Sequence, residues 1–398
     1  MTRRADDPQS APGIFLAFLR LGLTAFGGPI AHLEYFRREF VERRGWLSAQ
    51  AYGDLVALCQ FLPGPASSQV GIGLGLMRGG LRGAVSAWLG FTLPSALAMT
   101  LFALLLTHVG AAAHGAWLHG LKLVAVAVVA QALWGMGRSL CPDRERASLA
   151  VAAAVLAVLL PGTTGQLAVI ALGAAAGRWL LRAPPEAVHA PLHVPLGRRS
   201  AVALLVAFAA LLVGLPLLAA ALDTPVLTQF AGFFRAGALV FGGGHVVLPL
   251  LQSLVVPSGW VSNADFLAGY GAAQAVPGPL FTFAAFLGAA SQSPPGGWAG
   301  AAVALGGIFL PGFLLVAGSL PLWAGLRRHP AMRSAMQGIN AAVVGLLLAA
   351  FYDPVWTAAI HRPKDFVVAL AALLLLQAWR VPPWAVVLLG AATAALLG

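Results

Sequence analysis

Apolar stretches long enough to cross a hydrocarbon layer of ~30 Å recur from residue 14 to the C-terminus, among them 83–107, 117–138, 200–222 and 298–322. Inside such a layer backbone N–H and C=O groups find no partner in the solvent, so only helices or a closed barrel satisfy them. The dyad alternation of barrel strands is absent. The chain therefore reads as an all-α polytopic membrane protein. Composition agrees: with 59% hydrophobic and 9% charged residues over 398 positions, it has far too little polar surface to cover a soluble core. The net charge of +11 would point to nucleic acid in a soluble protein. Here the basic residues mostly sit in short loops, where membrane orientation and anionic headgroups account for them, so no nucleic-acid partner is expected. The polar start Met1–Gly13 leads into an apolar segment without a small-residue cleavage pattern, which reads as a retained first helix.

The second constraint is an internal duplication. Arg20-x-Gly22, Phe26-Gly27-Gly28, Gly45-Trp46, Gln60 and Pro63-Gly64-Pro65 recur as Arg235-x-Gly237, Phe241-Gly242-Gly243, Gly259-Trp260, Gln274 and Pro277-Gly278-Pro279. Trp and the first Pro are 17 residues apart in both copies, from 46 to 63 and from 260 to 277. Further on, Gly90-x-x-x-Pro94 matches Gly307-x-x-x-Pro311, and Gly120-x-Lys122 matches Gly338-x-Asn340. The offset stays between 214 and 218. The domain division is 1–182 for the first repeat, 183–227 for a linker and an extra helix, and 228–398 for the second repeat.

Each repeat divides into six apolar segments: 14–32, 50–77, 83–107, 117–138, 147–160 and 164–181, then 228–250, 264–290, 298–322, 335–351, 366–378 and 382–397. With 200–222 they make about 13. An odd number of crossings between equivalent points places the halves in opposite orientations, the inverted repeat of many secondary transporters. With the N-terminus inside, Arg78, Arg82, Arg138, Arg144, Arg146, Arg198, Arg199, Arg327, Arg328 and Arg333 all fall in cytoplasmic loops. The loop 33–48, with Arg37, Arg38, Arg43 and Arg44, breaks the pattern if every segment crosses. Glu34, Glu39 and Glu42 offset much of its charge, so it is an interfacial helix, or 50–77 is re-entrant.

Pro-Gly-Pro cannot continue a helix, and the backbone groups it releases need protein or water as partners. A broken helix at membrane depth in each half points to a transporter binding site. Around these breaks, Gln60 and Gln274 can donate to an anion, and Ser67, Ser68 and Thr282 supply hydroxyls. The glycine pairs Gly27-Gly28 and Gly242-Gly243, beside Phe26 and Phe241, let backbone N–H groups turn to one point where a half-helix begins. Arg20 and Arg235 lie inside apolar segments, where a charge faces a partner or a water path, or snorkels to a headgroup. Lys122 is a third such cation, with Asn340 opposite it in the repeat, and His32 and His245 flank the glycine motifs. Acids near apolar segments are few, Asp54, Asp265 and Asp353, and that imbalance favours an anionic substrate. Cys59 and Cys141 are too few for a disulfide scaffold or thiolate site, and no metal-binding motif, Walker loop or nucleophile elbow is present. Neither metal nor cofactor is expected, and a membrane-embedded enzyme lacks its catalytic constellation. The expected substrate-binding set is therefore Arg20, Phe26, Gly27, Gly28, Gln60, Pro63, Gly64, Pro65, Ser68, Arg235, Phe241, Gly242, Gly243, His245, Gln274, Pro277, Gly278, Pro279 and Thr282, with Lys122, Asn340 and His32 as secondary candidates.

At Phe26-Gly27-Gly28-Pro29 through Pro63-Gly64-Pro65, and at Phe241-Gly242-Gly243-Gly244-His245 through Pro277-Gly278-Pro279, the sequence resembles the chromate ion transporter family, in its long, two-domain form. The resemblance covers nearly the whole chain. It implies proton-motive-force-driven efflux of chromate across the bacterial inner membrane as an antiporter, chromate resistance, and competition by sulfate. Sulfate or another small oxyanion stands as the alternative substrate. The partners it leaves open are the lipid bilayer and a second copy of the chain in a homodimer. The second copy departs from the first with Gly244 where Pro29 stands, and with uncharged residues replacing the Arg37–Arg44 cluster.

Overall fold

The computed structural model describes residues 10–109, 116–182, 192, 194–241, 244–323 and 330–397, and among these there is no strand. Seven helices build the first half. They are α1 (Ala11–Thr24), α2 (Gly28–Phe36, prolonged by a π-helical turn Arg37–Arg43), α3 (Ala49–Phe61), α4 (Ala66–Val109), α5 (Ala116–Leu140), α6 (Arg144–Leu159) and α7 (Thr163–Leu180). After α8 (Arg198–Leu222) the order repeats. It runs through α9 (Pro225–Ala238), α10 (Val247–Val255), α11 (Asn263–Ala273), α12 (Phe283–Ala289), α13 (Gly297–Ser319), α14 (Pro330–Ala350), α15 (Pro363–Gln377) and α16 (Pro383–Leu397). Short 3-10 turns Gly244–Val246 and Leu280–Thr282 lead into α10 and α12. The long α4 is two limbs, because Gly79 and Gly80 leave helical geometry. Its limbs, 66–78 and 81–109, correspond to α12 and α13.

Among the described residues, five helices are long and apolar enough to cross a membrane: α4, α5, α8, α13 and α14. The early segments of each half behave differently. α1 starts at the Ser10 cap, whose hydroxyl accepts from Gly13 N–H, and spans 14 residues, about 21 Å at 1.5 Å per residue. It ends at Ala25 beside the Phe-Gly-Gly break, and α2 doubles back along it. His32 lies against Ala25 O, and the Phe40 ring stacks on Phe18 at 4.7 Å. Trp46 stacks on Phe40 in turn, and both Arg44 and Arg78 sit over its ring at 5.8 and 5.5 Å. The chain has thus returned to the face where α1 began and where the two limbs of α4 join.

The segment 50–77 likewise folds back at Pro63-Gly64-Pro65, so that Gly73 on the returning limb packs against Leu55 on α3. In the second half Gly232 meets Leu254 across α9 and α10, and Gly269 meets Phe286 across α11 and α12. All four broken segments, 14–32, 50–77, 228–250 and 264–290, are therefore re-entrant hairpins. This geometry removes the discordant loop. Arg37, Arg38, Arg43 and Arg44 belong to the same face as Arg78, Arg82, Arg138, Arg144 and Arg146, in ion pairs with Glu34, Glu39 and Glu42. Arg327 and Arg328 lie outside the described residues.

The halves are inverted. Trp88 packs on Phe309 and Gly297 lies beside Leu104, so the second limb of α4 and its counterpart α13 run antiparallel. They are also interleaved, since α14 lies between α6 and α7 of the first half while α5 lies against α15 and α16 of the second. In lipid no hydrophobic force draws helices together, so close approach depends on small residues. Gly22 rests on the Gly90–Phe91 backbone and Gly237 on Ile308, while Gly120 meets Gly390 as Gly338 meets Gly173. The extra helix α8 has its own seat on α9 and α13, floored by Ala231, Ala238 and Gly318. The equivalent first-half residues are Leu16, Leu23 and Leu101, each more than half exposed. Large side chains face lipid where no helix sits, and small ones stand where one does.

Candidate functional site

The tips of the four re-entrant hairpins meet at the centre of the bundle, where two backbone hydrogen bonds cross between the halves. Gly278 N–H donates to Ala25 O at 2.9 Å, and Gly64 N–H donates to Val240 O at 2.6 Å. Each links the Pro-Gly-Pro of one half to the end of the first helix of the other, so the two bonds are related by the internal two-fold. Both glycines have positive φ, +126° at Gly64 and +99° at Gly278. A Cβ at Gly64 would stand 3.3 Å from Gly312 Cα, and one at Gly278 would stand 2.9 Å from Ser95 Oγ. No other residue type meets both demands. Pro29 and Gly244, equivalent positions, face each other across the same axis: a Cβ at 244 would lie 3.2 Å from Pro29 Cγ. The departure of the second repeat at this position follows from the lack of room for two side chains there.

Beside this crossing lies a cavity of about 70 Å³. A buried water needs about 10–15 Å³, so the space takes several waters or a small polyatomic ion. One wall is the α1–α2 tip, Gly27 and Gly28, where α2 begins and its free N–H groups and positive dipole end are presented. The opposite wall belongs to the second half, with His245 from the α9–α10 tip and Gln274, Gly278 and Leu280 from the α11–α12 tip. Val128 and Gln131 of α5 and Pro383 at the start of α16 close the sides. His245 Nδ1 is 2.6 Å from the hydroxyl of the fully buried Tyr270. Gln131 Nε2 donates to Leu376 O, and Gln274 Nε2 makes a long bond to Tyr270 O. Among the described lining residues there is no Arg, Lys, Asp or Glu. Such a surface suits an anion held by neutral donors and a helix end.

Of the sequence-predicted set, Gly27, Gly28, His245, Gln274 and Gly278 come together in this cavity. Phe26, Pro63, Gly64, Pro65, Phe241, Pro277 and Pro279 shape the tips, and Gly242 and Gly243 lie outside the described residues. Thr282 turns its hydroxyl back onto Pro279 O. Gln60 is exposed at the first-half position equivalent to Gln274, and Ser68 is buried with its hydroxyl unpartnered. His32 sits behind the tip, between Ala25 O and Ser67 Oγ. Neither arginine reaches the cavity. Arg20 is exposed on the face of α1 that carries Leu16 and Leu23, and Arg235 lines a separate recess with Leu250 and Leu254. Lys122 interacts with Asp265 near the α5 and α11 starts, and Asn340 is half-buried on α14. Sequence reasoning missed Tyr270 and Gln131, although a lone polar side chain in an apolar segment was the available signal for both.

The chromate transporter family profile matches residues 13–178 and 227–396, one match per repeat. A chromate transport protein of Pseudomonas aeruginosa is 31% identical over 393 residues, spanning 95% of this chain and 90% of that protein. A chromate transport protein of Cupriavidus metallidurans is 28% identical, over 92% of this chain and 87% of its own length. A probable chromate transport protein of Synechococcus elongatus is also 28% identical, over 92% and 88%. No solved structure matches the chain. With both repeats matched and a multi-pass helical bundle whose broken helices meet at one polar cavity, the chain belongs to the chromate transporter family.

Proposed function

We propose that this chain exports chromate across the bacterial cytoplasmic membrane, driven by the proton-motive force, and thereby confers chromate resistance. The observation that carries this reading is the central cavity, walled by Gly27 and Gly28 from one half and by His245, Gln274 and Gly278 from the inverted other. Donors fixed on hairpin tips can recognise a tetrahedral oxyanion from several directions, and rocking of one half on the other would open the same donors to either face. An inside-negative potential pushes an anion outwards by about 2.3 kcal/mol per net charge for each 100 mV. The site has neutral donors, lacks acidic side chains among its described residues, and has no chemistry specific to chromium. That lining favours sulfate, a dianion of the same shape, as the second reading.

The test is transport in everted vesicles, where export appears as uptake. Energised vesicles carrying the protein are expected to accumulate chromate, with sulfate competing and molybdate as a further tetrahedral competitor. Collapse of the potential is expected to stop accumulation. Chromate movement only in the inward direction, or sulfate transport without chromate transport, would overturn the export assignment.

A further inference from the structure

We propose that the anion occupies the central cavity together with one proton, carried on His245 and positioned by Tyr270. This rests on the reading of that cavity as the anion site. Among its described lining residues His245 is the one titratable group. A dianion brought there meets the partial charge of the α2 N-terminus and neutral donors, but no fixed cation. A protonated imidazole supplies a full positive charge at the wall. Tyr270 fixes the ring by Nδ1, which leaves Nε2 as the nitrogen free to meet a ligand; it has no partner among the described residues. The phenol serves both protonation states, donating to a neutral Nδ1 and accepting from Nδ1–H. It is held by burial and by the Phe283 ring at 5.8 Å.

The neighbouring charges lie elsewhere. Tyr270 on α11 is the titratable group that touches His245. Gln131 and Val128 face the cavity from α5, Leu280 from the α11–α12 tip and Pro383 from α16. Lys122 and Asp265 interact near the starts of α5 and α11, away from the lining, and His32 lies behind the α1–α2 tip. Arg235 is in its own recess between α9 and α10.

The balance is simple: as the anion enters, one proton binds the imidazole at Nδ1, where the phenol turns from donor to acceptor while Nε2–H faces the anion, and it leaves with the anion, so a dianion moves with one net negative charge. Proton and anion then travel together and are not exchanged as in an antiporter, so the membrane potential, the electrical part of the proton-motive force, drives export through the one net negative charge while the pH difference opposes it. By linkage each tightens the other's binding by the same factor. Above the pKa of the empty-site imidazole, the apparent Kd rises about tenfold per pH unit.

The experiment is calorimetric titration of the purified full chain in lipid nanodiscs with sulfate, which stays a dianion from pH 5.5 to 8.5, in buffers of different ionisation enthalpy. Wild type is expected to take up about one proton per sulfate, with affinity weakening as pH rises. His245→Gln is expected to bind with flat pH dependence and no proton uptake, and Tyr270→Phe to keep binding at low pH with a displaced midpoint. Sulfate binding by wild type with pH-independent affinity and no proton uptake overturns the proposal while leaving the anion site standing. The absence of sulfate and chromate binding at every pH overturns the site itself. The wild-type proton count needs no variant to fold.

Discussion

The two halves share a backbone and differ in what they place on it. Around the first-half tips stand His32, Ser67, Gln69, Thr92 and Ser95, all buried. Their second-half counterparts are Val247, Phe281, Phe283, Phe309 and Gly312, an apolar and largely aromatic set. The helix after the glycine tip, α2, runs on into a charged, partly exposed turn in the first half, and in the second its counterpart is α10, with Leu248, Leu250 and Leu251 buried. Within the cavity the side chains of the tips run the other way, with His245 and Gln274 from the second half facing Gly27 and Gly28 of the first. The two-fold relates His245, Tyr270 and Gln131 to Ile30, Val56 and Ala349, so symmetry outlines two pockets and chemistry equips one. Duplication supplied a scaffold that inverts, and divergence kept donors on one side of the axis.

The largest effects are expected where the halves interlock. Gly64→Ala and Gly278→Ala each force a side chain into a left-handed position against the other half, at a cost of roughly 1–3 kcal/mol in stability, and both should abolish vesicle transport. Normal chromate flux in either variant would remove the crossing bonds from the account. Next comes the comparison of amides. Gln274→Ala should raise the KM for chromate about tenfold, the loss of a bond to a charged group, while Gln60→Ala leaves it unchanged. Equal effects would mean two working pockets.

A finer test sits on the axis. Gly244→Ala should lower stability by roughly 1 kcal/mol in wild type, and much less when Pro29 is also alanine. Additive losses would show that the two positions do not compete for space.

Arg20→Ala and Arg235→Ala should change transport by no more than about twofold, because neither side chain lines the cavity. The smallest effect concerns the charged turn. Hydrogen bonds from Arg37 and Arg38 lower the Glu34 carboxyl from 4.5 to about 2. A lowered carboxyl contributes above its ordinary value and loses that contribution as pH falls towards 2. Being exposed, it should leave the melting temperature flat from pH 5 to 8. A melting transition that shifts in that window only while Glu34 is present would contradict this.

Much of this was legible in the residues themselves. Glycine and proline declare where helices break, because their backbone demands are local, and so the four hairpin tips could be placed from sequence. Whether a broken segment crosses or turns back is not local: it depended on Phe18, Phe40 and Trp46 stacking the return limb onto α1. The arginines lie away from the cavity for a related reason. The cost of burying a charge says that Arg20 needs an explanation, but the face of α1 that looks inwards is set by packing against α4. Tyr270 became visible as a candidate residue only once the fold placed it behind His245.

The central claim is one anion site at the hairpin crossing, and chromium itself can report it. Anomalous diffraction at the chromium edge from crystals of the full chain grown with chromate should give a single peak per chain. That peak is expected between Gly27–Gly28 and His245–Gln274. A peak beside Arg20 or Arg235, or a second of equal height at the two-fold-related position near Gln60, would contradict the account.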